Sequence, residues 1–200
     1  MYIPPDFEVA DRAWVLDLID RFPFGLLVTS DERLSHLPMI AQVRNDELWV
    51  LGHVARANAH ALSIANQSRA TIVFTGAHAY VSASWYEKPY VTVPTWNYSA
   101  AHLCGILREA NAWDVVVRLT AKFEHGADAW DPQRLEPSFR EDQLRGIVAF
   151  EMRAQAIFAK AKLSQNRSPA DRMRVIARLS QSPDQVAAQC AQDMQRALRR

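Results

Sequence analysis

Residues 24–54 read FGLLVTSDERLSHLPMIAQVRNDELWVLGHV. Phe24 to Thr29 is a β-rich apolar run, and Asp31-Glu32-Arg33 is a turn. Leu37 to Val43 and Leu48 to Val54 are two more apolar runs, separated by Arg44-Asn45-Asp46-Glu47, a pattern that predicts a hairpin. Strands therefore follow strands here without helices between them. That order argues against a doubly wound parallel sheet and for an antiparallel barrel with helices attached.

The flanks fit this reading. Asp11 is placed to cap a helix in which Trp14, Leu18 and Phe22 recur every four residues, flanked by Val15 and Ile19 and ended by Pro23. Ala57 to Asn66 predicts a short helix. Ala70 to Thr75 and His78 to Ser82 predict two strands split by Gly76, and Asn97 to Leu107 a long strand. Asn111 is expected to cap a helix to about His125, with Trp113, Val116, Val117, Thr120 and Phe123 inward. Ala127 to Asp142 reads as a loop with room for one helical turn, and Gly146 to Ala159 as one long strand. In the tail, residues 168–200, Ser168-Pro169 and Ser182-Pro183 each look like a cap followed by proline at the first helical position. The second tail helix is expected to bury a stripe of Val186, Cys190 and Met194. No repeat, low-complexity run or linker interrupts the 200 residues, so a single domain, 1–200, is expected.

Composition is that of an ordinary globular chain, 49% hydrophobic and 22% charged. Apolar runs are too short to span a bilayer, and the start, MYIPPDFEVADR, lacks the pattern of an export signal. Cys104 and Cys190 stand apart, without a CxxC, and are expected to be reduced; a cytoplasmic location follows as the expectation. The net charge of +1 is uneven. Residues 160–200 carry nine Lys/Arg against three Asp, a net +6, which leaves −5 for residues 1–159. A basic end can attract phosphate, on a cofactor or on nucleic acid.

The chemistry-bearing motifs are few. GxGxxG, GxxxxGKS, GxSxG and HExxH are all absent, and no metal site is expected. Residues 78–98, HAYVSASWYEKPYVTVPTWNY, hold six aromatic residues stiffened by Pro89 and Pro94 and interleaved with Ser82, Ser84, Thr95 and Asn97. Such a surface suits a planar heteroaromatic ligand. Gly52-His53-Val54-Ala55-Arg56-Ala57-Asn58 runs from a strand end into a helix, a natural anion cradle. Lys162-Leu163-Ser164-Gln165-Asn166-Arg167 packs two cations, a hydroxyl and two amides between a strand and a capped helix, donors suited to phosphate, ribityl or carbonyl oxygens.

MYIPPDF, FGLLVTS, SHLPM, GHVARAN, HAYVSASWY, VPTWNY, LRGIVAFE and KLSQNR occur in that order, from Met1 to about Leu179. In these motifs the chain resembles the PaiB-like family of FMN-binding negative transcriptional regulators. The resemblance implies a split β-barrel of the pyridoxamine-phosphate-oxidase type, mainly β with peripheral helices and two C-terminal helices. Such barrels pair as homodimers with FMN at the interface. By the same resemblance Ser35, His36, Leu37 and Pro38 line the flavin edge, and His53, Arg56 and Asn58 approach the phosphate. Trp85, Trp96 and Asn97 lie near the ring or the partner subunit, and Lys162, Ser164, Gln165, Asn166 and Arg167 close the site. The turn Asp31-Glu32-Arg33-Leu34 departs from the pattern, lacking a glycine that related sequences carry.

Three functions stay open at this stage. The first is a flavin-binding regulator, for which direct DNA contact is weakly supported, since Arg172, Arg174 and Arg178 do not form a recognition face. The second is an FMN-dependent oxidoreductase, or a haem-degrading relative, acting on a small molecule. His36, His53 and Tyr98 are its only proton-exchanging candidates, and no axial haem ligand stands out. The third is a non-catalytic binding module.

Overall fold

The computed structural model describes residues 1–198. Arg199 and Arg200, counted above in the basic tail, lie outside the described residues. The strands are β1 (Phe24–Thr29), β2 (Leu34–Arg44), β3 (Glu47–Ala55), β4 (Arg69–Val81), β5 (Thr95–Glu109), β6 (Ile147–Arg153) and β7 (Ala156–Lys162). The helices are α1 (Arg12–Arg21), α2 (His60–Ala65), α3 (Ala112–Phe123), α4 (Pro137–Arg145), α5 (Pro169–Ser180) and α6 (Gln185–Leu198).

The strands are hydrogen-bonded in the order β4-β1-β2-β3-β6-β5-β7, and β4 also pairs with β5. Six strands thus close into a ring, with β7 added outside it. The pairs β1–β2, β1–β4, β2–β3, β3–β6 and β5–β6 are all antiparallel. Closure removes the exposed edges that an open sheet would have to protect. The expected antiparallel split barrel with attached helices is what the chain forms.

The chain divides into two compact units. The larger comprises Leu16–Phe74 and His102–Ile157. In it the β2–β3 hairpin turns through Asn45 and Asp46, both at positive φ (49° and 60°). Two left-handed residues match the strand twist in a two-residue turn, and Asn and Asp tolerate that region best after glycine. Met39, Phe74 and Phe150 are fully buried. Gly25 and Gly52 give them room: a Cβ on Gly25 would come within 2.8 Å of Met39 and Phe74, and one on Gly52 within 2.9 Å of Met39 and Phe150. Helix α3 lays Val115 and Leu119 against Leu51 and Ala149.

The turn before β2 carries the departure noted above. Glu32 sits at φ 63°, where glycine is favoured. Glu32→Gly is expected to raise stability by about 0.5–1 kcal/mol, the left-handed penalty less the added chain entropy of glycine. Thermal melts check this, and a lower melting temperature would mean that the turn is not left-handed in solution.

The smaller unit comprises Met1–Val15, Thr75–Ala101 and the described residues from Phe158 on. Its two tail helices pack on each other through Val175, Ile176 and Leu179 of α5 and Ala187, Cys190, Ala191 and Met194 of α6. Glu8 bridges Lys160 of β7, and Val9 N–H donates to Ala159 O at 3.0 Å.

Several sequence expectations are corrected. β4 is one strand and not two; its buried positions change phase where Gly76 and Ala77 are both buried. A strand tolerates such an irregularity at glycine without ending. The reverse holds for Gly146 to Ala159, which forms two strands parted at Ala154 and Gln155, each donating its N–H to a different strand, to Leu48 O and Cys104 O. No Gly or Pro marks that break. α4 takes the last part of the expected loop and runs beyond it as more than the one helical turn allowed there; it buries no residue, so it has no apolar period to read. α3 turns Val115 and Leu119 inward, with Phe123 exposed. α6 starts two residues later than expected, because Asp184 caps it by accepting from Val186 N–H at 2.9 Å. Val186 is therefore exposed, and Ala187 and Ala191 complete the buried stripe.

Candidate functional site

In the larger unit the functional side chains gather where β2, the end of β3 and the start of α2 meet. Asn58 organises the turn. Its Oδ1 accepts from His60 N–H at 2.9 Å, and its Nδ2 donates to Ser35 Oγ at 3.2 Å. Ser35 Oγ also lies 3.0 Å from His60 Nδ1. The Ser35 hydroxyl, with one donor and two acceptor positions, fits either tautomer of His60. His60 Nε2 is buried and has no partner among the described residues. Arg33 braces the same corner, donating to Ala59 O at 2.8 Å and Ser63 Oγ at 3.1 Å and pairing with Asp31 at 3.0 Å.

Burial holds the His60 proton affinity below the usual histidine value; a backbone hydrogen bond to Arg33 and the Asp31 charge act against this, and the Arg33 charge acts with it. His53 on β3 and His102 on β5 are lowered for the same main reason. The folded protein therefore binds fewer protons at these rings than the unfolded chain does. Their contribution to stability is present above pH 6.5, the ordinary histidine value, and is lost as pH falls below it. Denaturant midpoints are expected to fall between about pH 7 and pH 5, and His60→Gln is expected to flatten that slope. An unchanged slope would mean that His60 titrates normally in the folded state.

Residues 35–38 do not share one face. Leu37 is buried while His36 and Pro38 are exposed, as strand alternation requires. His36 stacks on Phe24, ring centroids 6.0 Å apart. Arg56 spends Nε on Arg145 O at 2.6 Å and Nη2 on Ile147 O at 2.8 Å, tying the end of β3 to the start of β6.

In the smaller unit the turn after β7 is built by its own side chains. Gln165 Oε1 accepts from Leu163 N–H at 2.6 Å, and its Nε2 donates to Ala161 O at 2.5 Å. Ser164 sits at φ 64°. Its hydroxyl and the Asn97 amide each donate to the other, at 3.2 and 2.9 Å, in a fully buried pair. Lys162 donates to Thr95 Oγ1 and to Trp96 O. Arg167 lies over the Tyr86 ring at 4.7 Å, and Asn166 is exposed beside it.

The aromatic stretch does not form one surface. Tyr80, Trp85 and Trp96 line a groove of about 430 Å³ with His78, Arg178 and Ser182. Trp96 meets Tyr80 edge-on at 6.2 Å and His78 at 6.1 Å. Tyr86 instead turns inward to a second cavity, Tyr98 lies under Lys160, and Tyr90 is 100% exposed.

Sequence reasoning gave no site role to His60, Arg33 or Phe7 and placed Tyr86 only among the rings of residues 78–98. Arg33, Tyr86 and Phe7 stand inside stretches already quoted, and His60 lies two residues past GHVARAN. Among the described residues no three His, Cys, Asp or Glu side chains stand close enough to share a metal ion. Among the described residues no helix is long and apolar enough to cross a membrane.

The family model described as "Putative FMN-binding domain" matches residues 1–156. The chain is 32% identical over 209 residues to protease synthase and sporulation protein PAI 2 of Bacillus subtilis (strain 168), covering 100% of this chain and 99% of that one. Among solved structures it resembles the flavocytochrome Anf3 of Azotobacter vinelandii (TM-score 0.58, 12% identity, 76% of this chain and 68% of that one). It also resembles the FAD and heme binding protein of Mycobacterium smegmatis (TM-score 0.55, 16% identity, 83% and 78%). These two likenesses speak for the fold. The family match and the full-length relative speak for kinship: the chain belongs to the PaiB-like family of FMN-binding proteins.

Proposed function

We propose that this protein binds FMN and acts as a negative regulator of transcription of the PaiB type. Ser35, His36, Leu37 and Pro38 border the flavin, and His53, Arg56 and Asn58 serve its phosphate end. Trp85, Trp96 and Asn97 stand by the ring or the partner subunit, and the segment Lys162, Ser164, Gln165, Asn166, Arg167 closes the site. The observation that carries the reading is the Ser35–Asn58–His60 cluster, in which the buried His60 Nε2 has no partner among the described residues. A buried polar nitrogen of this kind is costly unless a polar atom of a ligand meets it. Gln165 enters as a positioning residue, since both its amide atoms bond backbone groups, whereas Arg56 gives two of its five donors to carbonyls and keeps the others for the phosphate.

The chain works as one domain and as a cytoplasmic homodimer. Tyr90, Val91 and Val93 are exposed on one short segment, apolar area that a second subunit would cover. Regulation is indirect: Arg174 is paired with Asp171 at 3.6 Å, which leaves α5 a poor DNA-reading helix. Bound FMN supplies electron transfer. A flavin oxidoreductase is the second reading, favoured by the aromatic groove of about 430 Å³, which has room for a planar second ligand.

The test is a visible spectrum of the purified protein before and after FMN addition and gel filtration, with sedimentation on the same sample. Retained flavin on a dimer is the expected result. A flavin-free monomer under both conditions would overturn the reading, and a Soret-type band would put haem in place of FMN.

A further inference from the structure

The smaller unit holds a cavity of about 90 Å³ whose walls include Phe7, Tyr86, Thr95, Asn97, Lys162 and Arg167. That is room for about three waters or one small oxyanion. Its lining contains two cations and no carboxylate. The guanidinium of Arg167 makes no hydrogen bond or ion pair among the described residues; its one contact is the Tyr86 ring. Tyr86 is 4% exposed, and its buried hydroxyl has no partner among the described residues. Lys162 spends two of its three N–H donors on Thr95 and Trp96, which fixes the ammonium and leaves the third. Burial, Lys160 and Arg167 all push its proton affinity down.

Uncompensated positive charge on two half-buried side chains and an idle buried hydroxyl around one small cavity are costly unless an anion relieves both. We propose that this cavity is an oxyanion site that takes a phosphate group other than that of FMN. Arg167 offers a planar fork of donors, Lys162 a fixed charge, and Tyr86 a hydroxyl from the wall. Phe7 and the Tyr86 ring close the apolar side. The residues proposed for the FMN phosphate, His53, Arg56 and Asn58, are a separate set on β3 and the turn after it. Asn97, Lys162, Ser164, Asn166 and Arg167 also belong to the proposed FMN site, so the inference rests on and deepens that reading; phosphate binding to FMN-free protein tests the cavity, and flavin retention tests the FMN site.

The test is calorimetric titration of inorganic phosphate into FMN-free and FMN-loaded protein, with wild type, Arg167→Gln and Tyr86→Phe compared. Circular dichroism verifies folding of each variant. One equivalent of phosphate is expected to bind both forms of the wild type. Tyr86→Phe should weaken it about fivefold and Arg167→Gln about fiftyfold, as fits loss of one neutral and one charged donor. Phenyl phosphate sets the source: tighter binding than inorganic phosphate assigns an esterified ligand, equal binding free phosphate, and both uphold the site. Displacement of FMN by phosphate in the wild type would overturn the proposal, since the cavity would then hold the flavin's own phosphate. Undiminished binding to folded Arg167→Gln would also overturn it, as would no binding to the wild type at tens of millimolar.

Discussion

Phe150→Ala is expected to lower the unfolding free energy by about 3–5 kcal/mol, the usual range for deleting a fully buried phenyl ring. Phe150 is completely buried on β6, with Gly52 opposite it on β3. Its ring lies so close over Gly52 that a Cβ there would sit 2.9 Å from Phe150 Cζ and 2.9 Å from Met39 Cγ. Phe and Gly thus act as one unit: the missing side chain on β3 is the space that the ring fills. The cavity left by alanine is walled by strand backbone on one side, and strands in a closed barrel cannot move inward to fill it. Two companions make the claim specific. Gly52→Ala is expected to cost about 1–3 kcal/mol by overpacking, and less when Phe150 is already leucine. Denaturant titration of the two single variants and the double variant gives the coupling. Strict additivity would mean that the ring does not rest on Gly52.

Asn97→Ala is expected to cost about 1–3 kcal/mol and to weaken FMN retention at least tenfold, a fall that converts to about 1.4 kcal/mol or more. Asn97 is 0% exposed and exchanges two hydrogen bonds with Ser164. Removing the amide leaves a buried hydroxyl without its partner. It also frees a residue held at φ 64°, a conformation that costs a non-glycine residue about 1–2 kcal/mol. Lys162 and Arg167 flank Ser164, so the loss reaches the cations through the backbone. Ser164→Gly separates the two effects, because glycine accepts the left-handed conformation while losing the hydroxyl. It should be less destabilising than Ser164→Ala by about 1 kcal/mol. Equal losses would mean that the backbone conformation is not what Asn97 secures, and flavin retention unchanged in Asn97→Ala would detach the segment from the flavin.

The barrel was legible because its signals are local. Asn45 and Asp46 are residues that accept positive φ, and the flanking runs supply strand alternation, so the hairpin could be read from residues 24–54 alone. Asn111 and Ser168 announced their helices in the same way, each accepting from the N–H three residues on. α4 escaped because it packs no apolar face, and the break at Ala154 and Gln155 escaped because it depends on which strand accepts each N–H.

The candidate site was legible as composition and not as arrangement. The sequence by itself determined which segments carry donors, GHVARAN and KLSQNR, and that rings crowd residues 78–98. It could not show that Arg56 and Gln165 spend polar groups on carbonyls and a backbone N–H. Nor could it show that Tyr86 turns away from Tyr80, Trp85 and Trp96, or that His60 completes the cluster around Ser35. The Arg56 and His60 outcomes rest on hydrogen bonds between residues 25 to 91 positions apart, and the Tyr86 outcome on packing. Local propensity fixes where strands, turns and caps fall, because a residue's backbone preferences act on its neighbours. Which polar atom stays unpaired is decided only when the barrel closes and distant strands compete for the same donors.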